Sequence, residues 1–241
     1  MSIDARGLDH RALNQALRGA VATADGEIEI VNVNGHRYIA AGFRSEARIR
    51  VRGVAGNDLG AFMDGPRIVV EGNAQDGAGN TMNAGLIAVR GDARDVTGYA
   101  MRGGRIFILG DVGYRAGIHM KAYKESFPTI VVGGSCGDFL GEYMAGGVIV
   151  VLNRAKQPCA TGIFTGTGMH GGTIYIRGGA PKERLAKEVG AGPLEEADRQ
   201  LLAQLVGEFC ECFGLAERYS PAEFVKYRAF THRPYGQLYA Y

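Results

Sequence analysis

Arg105 to Met120 reads RIFILGDVGYRAGIHM: an apolar run, then glycine, a second glycine seven residues on, and methionine three residues after that. Thr129 to Met144, TIVVGGSCGDFLGEYM, repeats the order. Outward from these two copies the same lattice holds. Gly53, Gly72, Gly91, Gly110 and Gly134 close apolar runs, and Gly60, Gly79, Gly98, Gly117 and Gly141 follow seven residues later. Met63, Met82, Met101, Met120 and Met144 come next, separated by 19, 19, 19 and 24 residues, and Met169 follows after 25. The two longer steps carry insertions, KAYKESFP near residue 124 and NRAKQP near residue 155, after which the pattern resumes at Gly162, Gly166 and Met169.

A fixed period of this kind is the mark of a repeat architecture. The apolar runs (IRV, RIVV, LIAV, RIFIL, TIVV, VIVVL, TIYI) are β-branched and strand-sized. Nineteen residues are too few for a β-α unit of about 30 but suit one circuit of a coil whose rungs stack at about 4.8 Å. The expected fold is all-β, a right-handed single-stranded β-helix of about seven rungs and about 34 Å. The methionines are expected inside as an adaptable column. The glycines are expected at positive-φ corners, so that Gly→Val at Gly91, Gly110 or Gly134 would be severe.

Bulk composition agrees. The chain has 241 residues and 38 glycines, 28 of them between Gly53 and Gly179. Glycine does not recur every third residue, which excludes collagen. A net charge of +2 implies no large field for nucleic acid or anionic lipid. No apolar run approaches the roughly 20 residues that span a bilayer, and the N-terminus does not resemble a secretory signal. Four cysteines without a CxxC pair fit a reducing, cytoplasmic setting.

The flanks differ in kind. Residues 1–27 form an N-terminal cap in which Leu13, Leu17 and Val21 share a helix face. Residues 28–179 form the coil, entered through strands in EIEIVNV, RYIAAGF and RIRV. Residues 180–241 form a C-terminal helical extension. There Pro193 opens a helix with Leu194, Leu201, Leu205, Val206, Phe209 and Phe213 on one face, ended by Gly214. Ser220-Pro-Ala-Glu223 reads as a capping box opening a second short helix, and the aromatic tail THRPYGQLYAY is expected to dock. An open coil needs such covers on its ends.

Motif matches are set against this glycine background. Gly166 to Gly171 fits G-x-G-x-x-G, yet it leads into a strand, not the helix a dinucleotide site requires. Gly133-Gly-Ser135-Cys-Gly137 fits a hydrolase elbow; Ser135 stands where other rungs have Val54, Asn73, Asp92 and Asp111. A serine esterase using Ser135 is the alternative reading from another class. His10, His36, His119, His170 and His232 form no metal-binding spacing. Cys210 and Cys212 read as buried thiols, and Asp92 and Asp111 as turn formers that could stack. No catalytic, cofactor-binding or metal-ligating residue is assigned.

The tandem G-x-x-G-x-x-x-G units, the insertion KAYKESFP before TIVVGG and the ending HRPYGQLYAY resemble the GXGXG β-helix domain of glutamate synthase, and most of all its stand-alone form. One subunit of formylmethanofuran dehydrogenase and the corresponding subunit of N-methylglutamate synthase share the repeat, and the same scaffold in either of those assemblies is the alternative that the resemblance implies. The resemblance implies a right-handed β-helix that is a structural, non-catalytic subunit. It would bridge a glutamine amidotransferase subunit and a synthase subunit holding FMN and an iron–sulfur cluster. That complex makes glutamate from glutamine and 2-oxoglutarate. Cofactors would lie in the partners, and the assembly would be a hetero-oligomer without nucleic acid or membrane. Ser2 stands where an amidotransferase would carry its processed cysteine.

Overall fold

The computed structural model describes residues 1–23, 25–123 and 126–230. Strand β1 (Ser2–Asp4) and helix α1 (His10–Thr23) precede a ladder of strands: β2 (Glu27–His36), β3 (Arg48–Ala55), β4 (Arg67–Val70), β5 (Leu86–Val89), β6 (Arg105–Ile108), β7 (Thr129–Val132), β8 (Ala145–Val151) and β9 (Gly171–Arg177). Each is parallel to the next, in the order β1 to β9. The register is unshifted from β3 to β7, with Ile49, Ile68, Ile87, Ile106 and Ile130 in line. This is the expected β-helix. Strands β3 to β9 enclose six full turns, against about seven rungs expected; the circuit from β2 departs from the 19-residue step and carries register shifts.

The interior is filled by columns, one residue per turn. The six methionines from Met63 to Met169 are fully buried in line, as are Ile68, Ile87, Ile106, Ile130, Ile149 and Ile174. Thr97 and Thr165 enter the same interior and satisfy their hydroxyls locally on Arg94 O (3.1 Å) and Gly162 O (3.5 Å). A second line of single parallel bridges, Ala55–Ala74–Ala93–Val112–Cys136–Thr161, closes the far wall.

Both ends are covered. Asp9 caps α1 by accepting the N–H groups of Arg11 (2.9 Å) and Ala12 (2.8 Å), and Leu13, Leu17 and Ala20 pack into the first coil. At the other end the chain departs from expectation. Residues 180–230 are helical only in part: strands β10 (Val189–Gly192) and β11 (Phe224–Ala229) extend the sheet antiparallel beyond β9. Ser220 does form its capping box with Glu223, but the turn is a single 3-10 turn, Pro221–Glu223, that runs directly into β11. Its alternating Phe224 and Lys226, both buried, favour a strand over a helix. RYIAAGF forms a turn rather than a strand, because Tyr38, Ala40 and Gly42 are all left-handed.

Helix α2 (Glu196–Phe213) starts after Pro193 and Leu194 and ends on Gly214 at φ 70°. Its apolar face forms a second core outside the coil. Leu202, Leu205, Val206, Phe209 and Phe213 cover Phe107, Val131, Val150 and Tyr175 on the outward side of β6 to β9. Phe209 meets Phe107 and Phe213 edge-on at 5.8 and 4.9 Å. Those strands, buried on both faces, therefore read as continuous apolar runs. The tail from Thr231 to Tyr241, with His232, lies outside the described residues.

Candidate functional site

The loops that return the chain from one strand to the next are built from an alternation of handedness. In the first regular loop Asp58, Gly60 and Phe62 have φ of 61°, 63° and 59°. The same alternation recurs at Tyr38/Ala40/Gly42, Gly77/Gly79/Thr81, Val96/Gly98/Ala100, Arg115/Gly117/His119, Phe139/Gly141/Tyr143 and Phe164/Gly166/Gly168. Its backbone N–H groups point alternately along the rod: Gly98 donates back to Ala78 O (2.8 Å), while Val96 and Ala100 donate forward to Tyr114 O and Ile118 O (both 2.8 Å). From Gly60 onward the middle position is always glycine, whereas Ala40 occupies it in the irregular first circuit. A Cβ on Gly98 would lie 2.5 Å from Ile130 Cδ1, besides its φ of 70°.

The first and third positions project outward and mostly carry side chains. Left-handed backbone costs a non-glycine residue on the order of 1 kcal/mol; twelve such residues occupy this lattice among the described residues. Several are aromatic and line up: Phe139 stacks on Phe164 at 5.2 Å with Arg115 over its ring at 4.6 Å. His119 stacks on Tyr143 at 5.2 Å and meets Tyr99 edge-on. Tyr114, Ile163 and Phe164 remain exposed.

Gly91, Gly110 and Gly134, expected at positive φ, do not adopt it. Their reason is space. A Cβ on each would overlap Oδ1 of Asn73, Asp92 or Asp111. Those side chains form a ladder. Asn73 accepts the Asp92 N–H at 3.0 Å, Asp92 accepts the Asp111 N–H at 2.9 Å, and Asp111 accepts both the N–H (2.6 Å) and the hydroxyl (3.0 Å) of Ser135. A parallel row does the same at Asp76, Asp95 and Asp138, which accept the N–H groups of Asp95, Tyr114 and Ile163. The sequence spacing brought Asp92 and Asp111 together; it did not reveal this second row.

The motif candidates are absorbed by the fold. Ser135 ends the ladder, and among the described residues its side chain bonds Asp111 and no histidine. Neighbouring Cys136 is buried, and burial, with the charge of Asp111, pushes its thiol far up. Gly166 and Gly168 are left-handed loop corners ahead of β9. His36 bonds Leu8 O (3.0 Å), His170 bonds Gly168 O (3.2 Å), and His10 packs on Tyr38. Burial also raises the thiols of Cys210 and Cys212, and the four cysteines are free. Among the described residues no group of three or more His, Cys, Asp or Glu is placed to hold a metal. No described helix is long and apolar enough to cross a membrane.

One buried polar cluster was not legible beforehand. Asp198, in the first turn of α2, accepts hydrogen bonds from Tyr175 Oη (2.5 Å), Lys226 Nζ (2.6 Å) and the Glu195 N–H (2.7 Å). Burial pushes the Asp198 carboxyl up, but these donors outweigh it and hold it below its usual value. Burial and the Asp198 charge raise the Tyr175 phenol. The cluster pins α2 to β9 and β11. At the other end of α2, Arg154 and Tyr219 hold the Glu217 carboxylate at about 2. A cleft of about 550 Å³ opens between α2 and β4 to β6, where Arg105 pairs with Glu208 (2.9 Å) and Arg67 reaches Cys212.

The GXGXG motif family matches residues 18–223. Uncharacterized protein MJ1350 of Methanocaldococcus jannaschii is 44% identical over 248 residues, covering 98% of this chain and 95% of that protein. Among solved structures, a chain in the crystal structure of the formyltransferase/hydrolase complex (FhcABCD) from Methylorubrum extorquens, in complex with methylofuran, is 23% identical. The match covers 89% of this chain and 85% of that chain, with a TM-score of 0.47. With the family model matching from α1 to the turn before β11, this chain belongs to the GXGXG family.

Proposed function

We propose that the chain is a non-catalytic structural subunit of a multi-subunit glutamate synthase. It would bridge a glutamine amidotransferase subunit and a synthase subunit with FMN and an iron–sulfur cluster, in the reducing cytoplasm. The observation that carries the reading is where the polar side chains of the coil are spent. Asn73, Asp76, Asp92, Asp95, Asp111 and Asp138 each accept a backbone N–H of the following turn. The would-be nucleophile Ser135 is itself the last rung of one ladder. Chemistry needs a nucleophile, a base and oxyanion donors converging on one point; here the side chains converge on holding the rod.

The test is reconstitution. Purified alone, the chain is expected to bind no flavin and to turn over neither glutamine nor 2-oxoglutarate. Isolated under mild conditions from its own cells, it is expected to bring an amidotransferase-like and an FMN-bearing subunit with it. Turnover by the isolated chain would overturn the scaffold role. Co-isolation with the other subunits of an N-methylglutamate or formylmethanofuran enzyme would keep the role and move the assembly. Ester hydrolysis abolished by Ser135→Ala would establish the esterase reading instead.

A further inference from the structure

We infer that the outward loop face of the last three regular coils is the docking surface for a partner protein that presents arginine or lysine side chains among apolar ones. The inference rests on the subunit reading above. Three observations meet there. Tyr114, Ile163 and Phe164 are 52%, 38% and 49% exposed, flanking the half-buried Phe139, on a face that no described element of the chain covers. Phe139 and Phe164 sit at left-handed backbone, φ 62° and 60°, where glycine would be free of strain and where Gly77 stands earlier in the same column. Bulky rings held against local backbone preference point to a use for the rings.

Charge decides which partner. Asp95 and Asp138 share the register position of Tyr114 and Ile163, and neither has an ion pair among the described residues. Among the described residues each is committed through one oxygen to a backbone N–H of the next turn. The face already shows how a cation binds it. Arg115 lies over the Phe139 ring at 4.6 Å while pairing with Glu142 at 2.9 Å. A guanidinium or ammonium from a partner would meet on this face the same two kinds of group, exposed rings at Tyr114 and Phe164 and the carboxylates of Asp95 and Asp138.

The geometry also supplies variants that separate docking from folding. Phe164→Gly removes a ring but relieves a left-handed backbone. Asp95→Asn and Asp138→Asn remove charge but keep the oxygen acceptor, as Asn73 does in the neighbouring ladder. The experiment isolates the tagged full-length chain with its partners from its own cells, maps the contact with a photoreactive side chain at Ile163, and measures affinity for the purified crosslinked partner. Crosslinks are expected on a partner segment bearing lysine or arginine. Phe164→Gly is expected to weaken binding by about tenfold or more with a melting temperature within about 4 °C of the parent. The double Asp→Asn variant is expected to weaken it several-fold and flatten its salt dependence. A complex that forms with undiminished affinity for all variants would overturn the docking face and leave the subunit reading standing. Crosslinks only to a second copy of the chain would also overturn it. Absence of any partner would overturn both.

Discussion

The two outward sides of the same coils have opposite treatments. On the strand side, Phe107, Val131, Val150 and Tyr175 lie under α2, clamped at one end by the buried Tyr175–Asp198–Lys226 cluster and at the other by Arg154 with Glu217. Nearer the N-terminus the same side turns polar: Arg50 and Arg52 pair with Glu27 and Glu29, and Arg90, which also reaches Phe213 O at the end of α2, pairs with Glu71. On the loop side, rings sit on costly backbone and no described element of the chain covers them. The contrast teaches that exposed apolar surface here is no shortage of covering material. Among the described residues the cover lies over the apolar strands and not over the loops.

This contrast can be broken or sharpened by substitution. The largest effect is expected inside the coil that both sides share. Gly110→Val sets a side chain against Asp92 Oδ1 and 2.9 Å from Gly91 O, and should cost more than about 4 kcal/mol by denaturant unfolding, or prevent folding. Parent-like stability would sink the ladder geometry. Next comes the covered side. Phe209→Ala removes a buried ring packed on Phe107 and Phe213, and should cost about 3–5 kcal/mol. On the open side Phe62→Gly should stay within about 1 kcal/mol, because relief of its left-handed backbone offsets the lost ring. Equal losses for Phe209→Ala and Phe62→Gly would erase the distinction.

Acid should loosen both clamps of the covered side. Asp198 and Glu217 are held below their ordinary values in the fold. A carboxylate so lowered contributes stability that is complete above its unfolded pKa, near 4, and is lost as pH falls through the folded value. Stability should therefore decline between about pH 5 and pH 2, and Asp198→Asn should flatten that slope in denaturant midpoints taken across the range. The smallest effect is expected for Asp92→Asn. It keeps the acceptor for the Asp111 N–H and should change stability by no more than about 0.5 kcal/mol.

Much of this was legible in the sequence, for a physical reason. A coil with one residue per column repeats its chemistry at one period, so Met63 to Met169 announced both the rung length and their own burial. Gly91, Gly110 and Gly134 were legible as constrained but not for the right cause. A glycine that yields room to a neighbour's carboxylate looks, in a sequence, like one that supplies positive φ. The left-handed Phe62, Phe139 and Phe164 were invisible because nothing in a phenylalanine advertises φ near 60°. Lys226 and Asp198, 28 residues apart, meet only because β11 runs back along β9, a pairing that the period of the coil does not encode.

The ladder from Asn73 to Ser135 has a direction: each side chain accepts from the turn that follows it, and none of these bonds points the other way. Such a row behaves like a growing crystal face. It defines the seat of the next layer and is indifferent to how many layers lie beneath. As far as this row is concerned, a whole circuit could be removed or added outside the span of α2 without changing the bonds of the ladder, whereas a part circuit could not. The separation of anything attached to the two ends is thus set in indivisible increments of about 4.8 Å, which makes the rod a spacer with a ruled scale.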